Sequence, residues 1–142
     1  STYWTDRTGP AAALATLKKM KKLNVPKRIK VAATQMRAAW TSMAEKHGLK
    51  IKLGGTVPYN NFSFLYDDAQ ALRTLFTQEM LERGFLASTE FNPSCAHTSA
   101  HIKKYAKALD GVFAEIRKAL DTGTVHKRLK GPIAHSHFAR LN

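Results

Sequence analysis

The chain has 142 residues, of which 44% are hydrophobic and 23% are charged, and this balance excludes a disordered or fibrous protein. With 23 basic against 10 acidic residues its formal net charge is +13, and its single cysteine excludes an internal disulfide. No apolar run approaches the roughly 20 residues of a membrane span and no signal-peptide pattern is present, so we expect one cytoplasmic domain without a membrane partner.

Two helices are predicted in the first third of the chain. Pro10 suits the first turn of a helix, and residues 11–23 are rich in alanine, leucine, lysine and methionine. Pro26 starts a second helix, which covers residues 27–47 and ends at Gly48. Its apolar residues recur at helical spacing, at positions Ile29, Ala32, Ala33, Met36, Ala39, Trp40 and Met43.

The next segment changes to an alternation of polar and apolar residues, which is typical of strands. Residues 49–53, LKIKL, predict a half-buried strand, and residues 61–66, NFSFLY, predict a second one. A turn region lies between them, marked by Gly54, Gly55, Pro58 and Asn60. We therefore predict a two-stranded ladder.

Helix, short strand and helix are predicted for the remainder. Asp67 and Asp68 are expected to cap a third helix that Gly84 closes, and residues 85–88, FLAS, predict a short strand. Thr98 caps the last helix, which carries a regular apolar stripe. The stripe consists of Ile102, Tyr105, Ala106, Leu109, Val112, Phe113, Ile116 and Leu120.

The order of elements is therefore ααββαβα. It predicts an α+β fold in which a small, mostly antiparallel sheet of three or four strands packs against about four helices. The strands are too few and too widely spaced for a doubly wound sheet.

Three segments of the sequence carry a family resemblance: TDRTGPAAALATLKKM, LFTQEMLERGFLAST and AHTSAHIKKYAKALDGVFAEI. In this order and spacing they are similar to the C-terminal portion of the class III, fold-type I pyridoxal-phosphate (PLP) aminotransferases, close to the glutamate-1-semialdehyde aminomutase branch. The resemblance covers residues 1–120. It implies a C-terminal domain, with residues 1–9 as a linker from a large cofactor-binding domain and residues 121–142 as a C-terminal extension.

The same resemblance implies an enzyme that transfers an amino group to a keto or semialdehyde carbonyl. The Schiff-base lysine, the acidic partner of the pyridine nitrogen and most of the phosphate cradle are expected upstream of this chain. The chain is then inactive alone, carries no catalytic residue and meets PLP only in the complete enzyme. The implied partners are the large PLP-binding domain, a second copy of the protein, and an amino-acid or keto-acid substrate.

Four positions are assigned to the site by this resemblance. Thr5, or Thr2 if the loop is longer, binds the cofactor phosphate of a neighbouring subunit, and a helix N-terminus just downstream suits a phosphate. Ser88, Glu90 and Asn92 lie close to the substrate, in a loop that contains no arginine for a substrate carboxylate. Thr5 also has an ordinary interpretation as a residue that caps a turn, and Glu90 as a solvated loop acid.

The cysteine and the histidines have alternative interpretations. Cys95 is a packing residue, or a nucleophile if the fold brings His97 to it. His97 and His101 lie four residues apart, as two ligands of one metal ion do, and His135 and His137 lie close together near the end. Because acidic and cysteine companions are missing, we predict no metal site.

The basic charge leaves a second function open. Lysines and arginines crowd residues 18–37 and 127–140, which is typical either of solvated helix faces or of a polyanion site. No helix-turn-helix, zinc-finger or RNA-binding strand pattern accompanies them, so we expect no specific nucleic acid. A stand-alone basic module that binds a polyanion such as nucleic acid is the alternative function, and a purely structural partner that completes an oligomer is a third.

Overall fold

Residues 4–135 are described by the structure, a computed structural model. Within them the secondary structure comprises four α-helices, three strands and a short 3-10 helix: α1 (Thr8–Leu23), α2 (Val25–Lys46), β1 (Ile51–Thr56), β2 (Tyr59–Phe64), α3 (Ala69–Glu82), β3 (Glu90–Phe91), α4 (Ser99–Asp121) and η1 (His126–Arg128). The strands form an antiparallel sheet in the order β1-β2-β3. The predicted α+β fold class and the order of its elements are confirmed.

The break between the two N-terminal helices lies at one residue. Asn24 adopts a left-handed conformation, with φ 48° and ψ 54°, which asparagine tolerates better than most residues. Its backbone N–H donates to the carbonyl oxygen of Lys21 at 3.2 Å, and Pro26 follows in the first turn of α2. Both predicted helices are therefore confirmed, although α1 has no buried residue. No helix in residues 4–135 has the length and apolar character needed to cross a membrane.

The hairpin is longer than the sequence predicted. β1 pairs with β2 from Ile51 opposite Phe64 to Thr56 opposite Tyr59, so the turn is made by the two residues 57 and 58. The predicted turn residues Gly54, Gly55 and Asn60 lie inside the strands, and that part of the prediction is wrong. The glycine signal marks a close approach of backbones instead. A Cβ added at Gly55 would lie 1.8 Å from the carbonyl oxygen of Tyr59.

The short strand predicted at residues 85–88 is also wrong. The backbone N–H of Phe85 donates to the carbonyl oxygen of Met80 at 2.9 Å, so this segment completes the C-terminus of α3. Leu86 is 97% exposed and has no strand beside it. The third strand lies two residues beyond the predicted segment, at Glu90–Phe91, and pairs with the start of β2.

The cap of α3 is only partly as predicted. Asp68 occupies the N-cap position, but its side chain makes no hydrogen bond to the helix backbone. Its carboxylate contacts Nε2 of His126 instead, which ties the start of α3 to η1. Thr98, in contrast, caps α4 as predicted, because its side chain accepts a hydrogen bond from the backbone N–H of His101.

Five aromatic rings form the centre of the core. The ring of Phe62 on β2 has its centroid 5.0 Å from Trp40, 5.4 Å from Phe64, 5.3 Å from Phe76 and 6.0 Å from Phe113. These rings come from α2, β2, α3 and α4, so the sheet packs against three helices. Helix α4 contributes the largest share of the buried core residues. Those from its predicted stripe are Ile102, Tyr105, Leu109, Val112, Phe113 and Ile116.

A buried polar group joins α2 to the hairpin. The side chain of Asn60 is fully buried and donates from Nδ2 to the carbonyl oxygen of Ala33 at 3.2 Å. Nη1 of Arg37 donates to the carbonyl oxygen of Gly54 at 2.9 Å and to Oδ1 of Asn60 at 3.4 Å. A buried amide without hydrogen-bond partners would destabilise the fold, so these contacts hold the hairpin in one position on α2.

Candidate functional site

A cavity of about 350 Å³ lies between the segment after α3 and the start of α4. Its polar lining consists of Ser88, Glu90, Asn92, His97 and His101. Its apolar lining consists of Met36, Phe85, Leu86, Ala87, Phe91, Ile102 and Tyr105. The structure therefore brings together the three residues predicted to lie near a substrate, and it adds two histidines to them.

The loop side of the cavity is shaped by local contacts. The backbone N–H of Glu90 donates to Oγ of Ser88 at 3.2 Å, which turns the chain into β3. The carboxylate of Glu90 lies 3.8 Å from Nη2 of Arg73 on α3, and both side chains are more than a third exposed. An exposed pair at this distance contributes little to stability, so it places the carboxylate rather than anchoring the fold. Arg73 was not identified from the sequence, because it lies outside the loop.

Hydrogen bonds at Nδ1 fix the orientation of the His97 ring. Its Nδ1 accepts a hydrogen bond from the backbone N–H of Ser94 at 2.9 Å, and the Ser94 hydroxyl lies 3.1 Å away. Its ring also meets Phe91 edge-on, with centroids 4.9 Å apart. Because a backbone N–H can only donate, the neutral ring carries its proton on Nε2. This assignment follows from the loop geometry and was not available from the sequence.

His101 completes the N-terminal cap of α4. Its Nδ1 lies 3.2 Å from the backbone nitrogen of Thr98 and 3.1 Å from the carbonyl oxygen of Ala96. Within residues 4–135 no group of three or more histidine, cysteine, aspartate or glutamate side chains gathers around a possible metal position. The two histidines hold the loop together and share one cavity. His137 lies outside the described residues.

Cys95 is half-buried and lines a second cavity of about 490 Å³ together with His97 and Thr98. The same cavity is bordered by Lys27 and Arg28 at the start of α2. Both earlier interpretations of Cys95, as a packing residue and as a nucleophile, remain predictions.

Tyr105 forms the floor of the first cavity. Its hydroxyl oxygen accepts a hydrogen bond from Nε1 of Trp40 at 3.0 Å, and its ring packs edge-on against Phe85. Burial raises the pKa of the Tyr105 phenol far above its usual value, and the hydrogen bond from Trp40 opposes this only in part. The floor therefore stays uncharged.

Thr5 lies elsewhere, exposed in a turn that precedes α1. The backbone N–H of Thr8, at the start of that helix, donates to Oδ1 of Asp6 at 2.8 Å. This hydrogen bond lowers the pKa of the Asp6 carboxyl, so a carboxylate occupies the end of the helix near which a phosphate was predicted. The role of Thr5 remains a prediction, and Thr2 lies outside the described residues.

Covalent binding of PLP requires a lysine in a suitable environment. Every lysine of the sequence lies within residues 4–135, and every one is exposed. A Schiff-base lysine needs a desolvated or strongly perturbed environment that lowers its pKa. The residues described here therefore do not fit a covalent PLP anchor.

The fold has a counterpart among solved structures. The chain is similar to the FumI protein of Sphingopyxis sp. MTA144, solved in its PLP internal aldimine form, with a TM-score of 0.73 and 20% sequence identity. The match covers 86% of this chain and 30% of the FumI chain. The chain has the fold of one part of a PLP-containing protein. No protein-family model and no curated protein matches it.

Proposed function

We propose that the chain is the small domain of a PLP-dependent enzyme and forms one wall of its substrate site. One observation carries this proposal. The match to FumI covers 86% of the chain, and the chain forms a cavity at which Ser88, Glu90 and Asn92 meet. The family resemblance of the sequence supports the finer proposal of a class III aminotransferase or aminomutase close to the glutamate-1-semialdehyde branch.

The division of labour follows from the lysines. Because all of them are exposed, the cofactor is held by another domain, where PLP supplies the electron sink for amino-group transfer. This chain orients the substrate and excludes water from one side of it. In this proposal Ser88, Glu90 and Asn92 contact the substrate, and Thr5 contacts the cofactor phosphate of a neighbouring subunit.

The first helix supports the presence of a covering domain. Leu14, Leu17 and Met20 are exposed on one side of α1, and α2 is the main element against which this helix packs within residues 4–135. An apolar stripe of this kind on a helix without buried residues is typical of an interface. We propose that the large PLP-binding domain covers it in the complete protein, and that the complete protein is a homo-oligomer.

The test uses both this chain and the reading frame extended upstream of it. The chain alone, mixed with PLP, is expected to show the absorbance of free cofactor and slow adducts spread over many lysines after borohydride reduction. The extended protein is expected to show an internal aldimine band and to transaminate an amino acid. A single lysine of this chain labelled stoichiometrically, or an extended frame without a lysine-bearing domain, would overturn the proposal.

A variant of the extended protein tests the cavity itself. Glu90→Gln is expected to lower kcat/KM about two- to tenfold, the effect of one net hydrogen bond, without changing the aldimine band. The matched control is Glu82→Gln, because Glu82 pairs with Lys130 on the surface and does not line the cavity. Equal effects of the two substitutions would remove Glu90 from the substrate site.

A second candidate function rests on the distribution of charge. Residues 7–44 contain nine basic and no acidic residues, so they carry nine of the 13 net positive charges. None of the eight ion pairs within residues 4–135 involves this segment. A surface on which most cations have no acidic partner attracts polyanions, which favours a basic binding module.

Affinity distinguishes the two functions. As an enzyme domain, the chain is expected to bind DNA or RNA only in the non-specific range, with Kd about 10⁻⁴ to 10⁻⁶ M at physiological salt. Replacing Lys18, Lys19, Lys21 and Lys22 by glutamine is expected to weaken this binding evenly for all nucleic-acid sequences. In the control, glutamine replaces four exposed lysines of α4 instead, namely Lys103, Lys104, Lys107 and Lys118. Fluorescence anisotropy that gives a Kd near 10⁻⁸ M for one sequence would favour the binding module.

A further inference from the structure

The second cavity, of about 490 Å³, lies between the first half of α2 and the segment 95–98 that precedes α4. Its lining includes the cations Lys27 and Arg28, and it contains neither an aspartate nor a glutamate. Neither cation takes part in any of the ion pairs within residues 4–135. The charge of this lining therefore favours an anionic ligand.

A buried oxygen atom in the same lining calls for a ligand that also donates a hydrogen bond. Oε1 of Gln35 is buried and has no hydrogen-bond partner in the described part of the chain. A buried acceptor without a partner is destabilising by about 1–3 kcal/mol, and a ligand N–H that reaches it relieves this penalty. Gln35 follows Lys27 by eight residues of α2, which separates the two positions by about 12 Å along the helix axis.

The same cavity contains a nucleophile. Cys95 is the single cysteine of the chain, is half-buried and lines the cavity together with the two cations and Gln35. A thiolate exchanges with a disulfide that reaches it, so access and neighbouring groups decide which disulfides react. A thiol alone would not select among disulfides, whereas two cations and an unpartnered acceptor around it do.

We propose that this cavity is a modification site, at which Cys95 forms a mixed disulfide with a small acidic thiol peptide. Carboxylates of the peptide contact Lys27 and Arg28, and one of its amide N–H groups donates to Oε1 of Gln35. A peptide of three residues spans about 10 Å when extended, which is comparable with the separation of these groups along α2. This inference does not rest on the function proposed above.

The step balances with the peptide disulfide as the oxidant. The thiolate of Cys95 attacks one sulfur of the disulfide, and the new sulfur–sulfur bond forms as the old one breaks. The second half of the peptide disulfide leaves as a thiolate and takes up a proton in place of the one that Cys95 released. Cys95 and one peptide are then joined, and the other peptide is reduced.

The experiment compares three disulfides: oxidised glutathione, which is anionic, bis(2-hydroxyethyl) disulfide, which is neutral, and cystamine, which is cationic. Each is added to the chain, and the adduct on Cys95 is followed by mass spectrometry. Oxidised glutathione is expected to react fastest and cystamine slowest, and the difference is expected to shrink at high salt because exposed charges are screened.

A charge variant tests the two cations. Lys27→Gln combined with Arg28→Gln is expected to lower the rate with oxidised glutathione about two- to tenfold, the effect of two exposed ion pairs, and to leave the rate with the neutral disulfide unchanged. The control, Lys50→Gln combined with Lys52→Gln, removes the same charge from exposed positions outside the cavity and is expected to leave both rates unchanged.

A measurement without disulfide chemistry separates binding from thiol reactivity. S-Methylglutathione, which cannot form a disulfide, is expected to shift the amide NMR signals of residues 23–35 and 95–98. Gln35→Leu is expected to weaken this binding about two- to tenfold, the effect of one net hydrogen bond. Equal rates for the three disulfides, or the absence of these shifts in the unmodified chain, would overturn the inference. Binding of S-methylglutathione without any adduct on Cys95 would overturn the modification.

Discussion

Replacing Phe62 with alanine is expected to lower the free energy of unfolding by about 3–5 kcal/mol. The side chain is 1% exposed, and its ring lies against four other aromatic rings from three helices and its own strand. The truncation removes these contacts and leaves a cavity that the surrounding elements cannot refill without moving. Because a domain of this size has a total stability of about 5–15 kcal/mol, the variant is expected to lie close to unfolding at room temperature.

Urea denaturation followed by circular dichroism measures this loss. Tyr59→Ala is the matched control, because Tyr59 is an aromatic residue of the same strand that is 51% exposed. The free energy of unfolding of this control is expected to fall by no more than about 0.5 kcal/mol. Similar losses for the two variants would mean that the sheet does not pack against the helices through Phe62.

The second large effect is expected for Gly55→Ala in the hairpin. Gly55 has φ +71°, and an added Cβ would lie 1.8 Å from the carbonyl oxygen of Tyr59, which belongs to the paired strand. The left-handed conformation alone costs about 1–2 kcal/mol for alanine, and the contact with a backbone atom adds to this because the carbonyl cannot move without breaking the ladder. We expect a total loss above about 3 kcal/mol.

Gly48→Ala separates the two contributions. Gly48 has φ +62°, close to that of Gly55, but a Cβ added there meets no atom within 4 Å. Its loss, measured by the same urea denaturation, is expected to be about 1–2 kcal/mol. If the two alanine variants unfold at the same urea concentration, the backbone of Tyr59 does not approach position 55 closely enough to clash with an added Cβ.

Local sequence patterns predicted the helices because the residues that determine a helix lie close to one another in the sequence. The stripe of α4 recurs every three or four residues, and the threonine before it offers a side-chain acceptor to the first turn, so both were predicted correctly. The wrong strand at residues 85–88 shows the limit of such patterns. A short, mainly apolar run such as FLAS is equally compatible with a strand and with the end of a helix, and the hydrogen bond from Phe85 to Met80 decides between them.

The candidate site was predictable only in part. Ser88, Glu90 and Asn92 were selected because a motif of adjacent residues resembles that of a family, and the structure places all three on one cavity. The floor of that cavity and the cation beside Glu90 come from distant segments of the chain. Nothing in the loop sequence points to Arg73 on α3 or to Tyr105 on α4.

By itself, the sequence determined the fold class, the four helices, the capping of α4 and the excess of basic charge in the first third of the chain, since each depends on composition or on neighbours in sequence. The tertiary structure alone decided the register of the hairpin, the position of the third strand and the cavity. These depend on contacts between residues such as Met36, Phe85 and Tyr105, which lie far apart in sequence and whose packing no local period records. The tautomer of His97 belongs with them, because a hydrogen bond from a turn three residues away fixes it only once the loop has folded over Phe91.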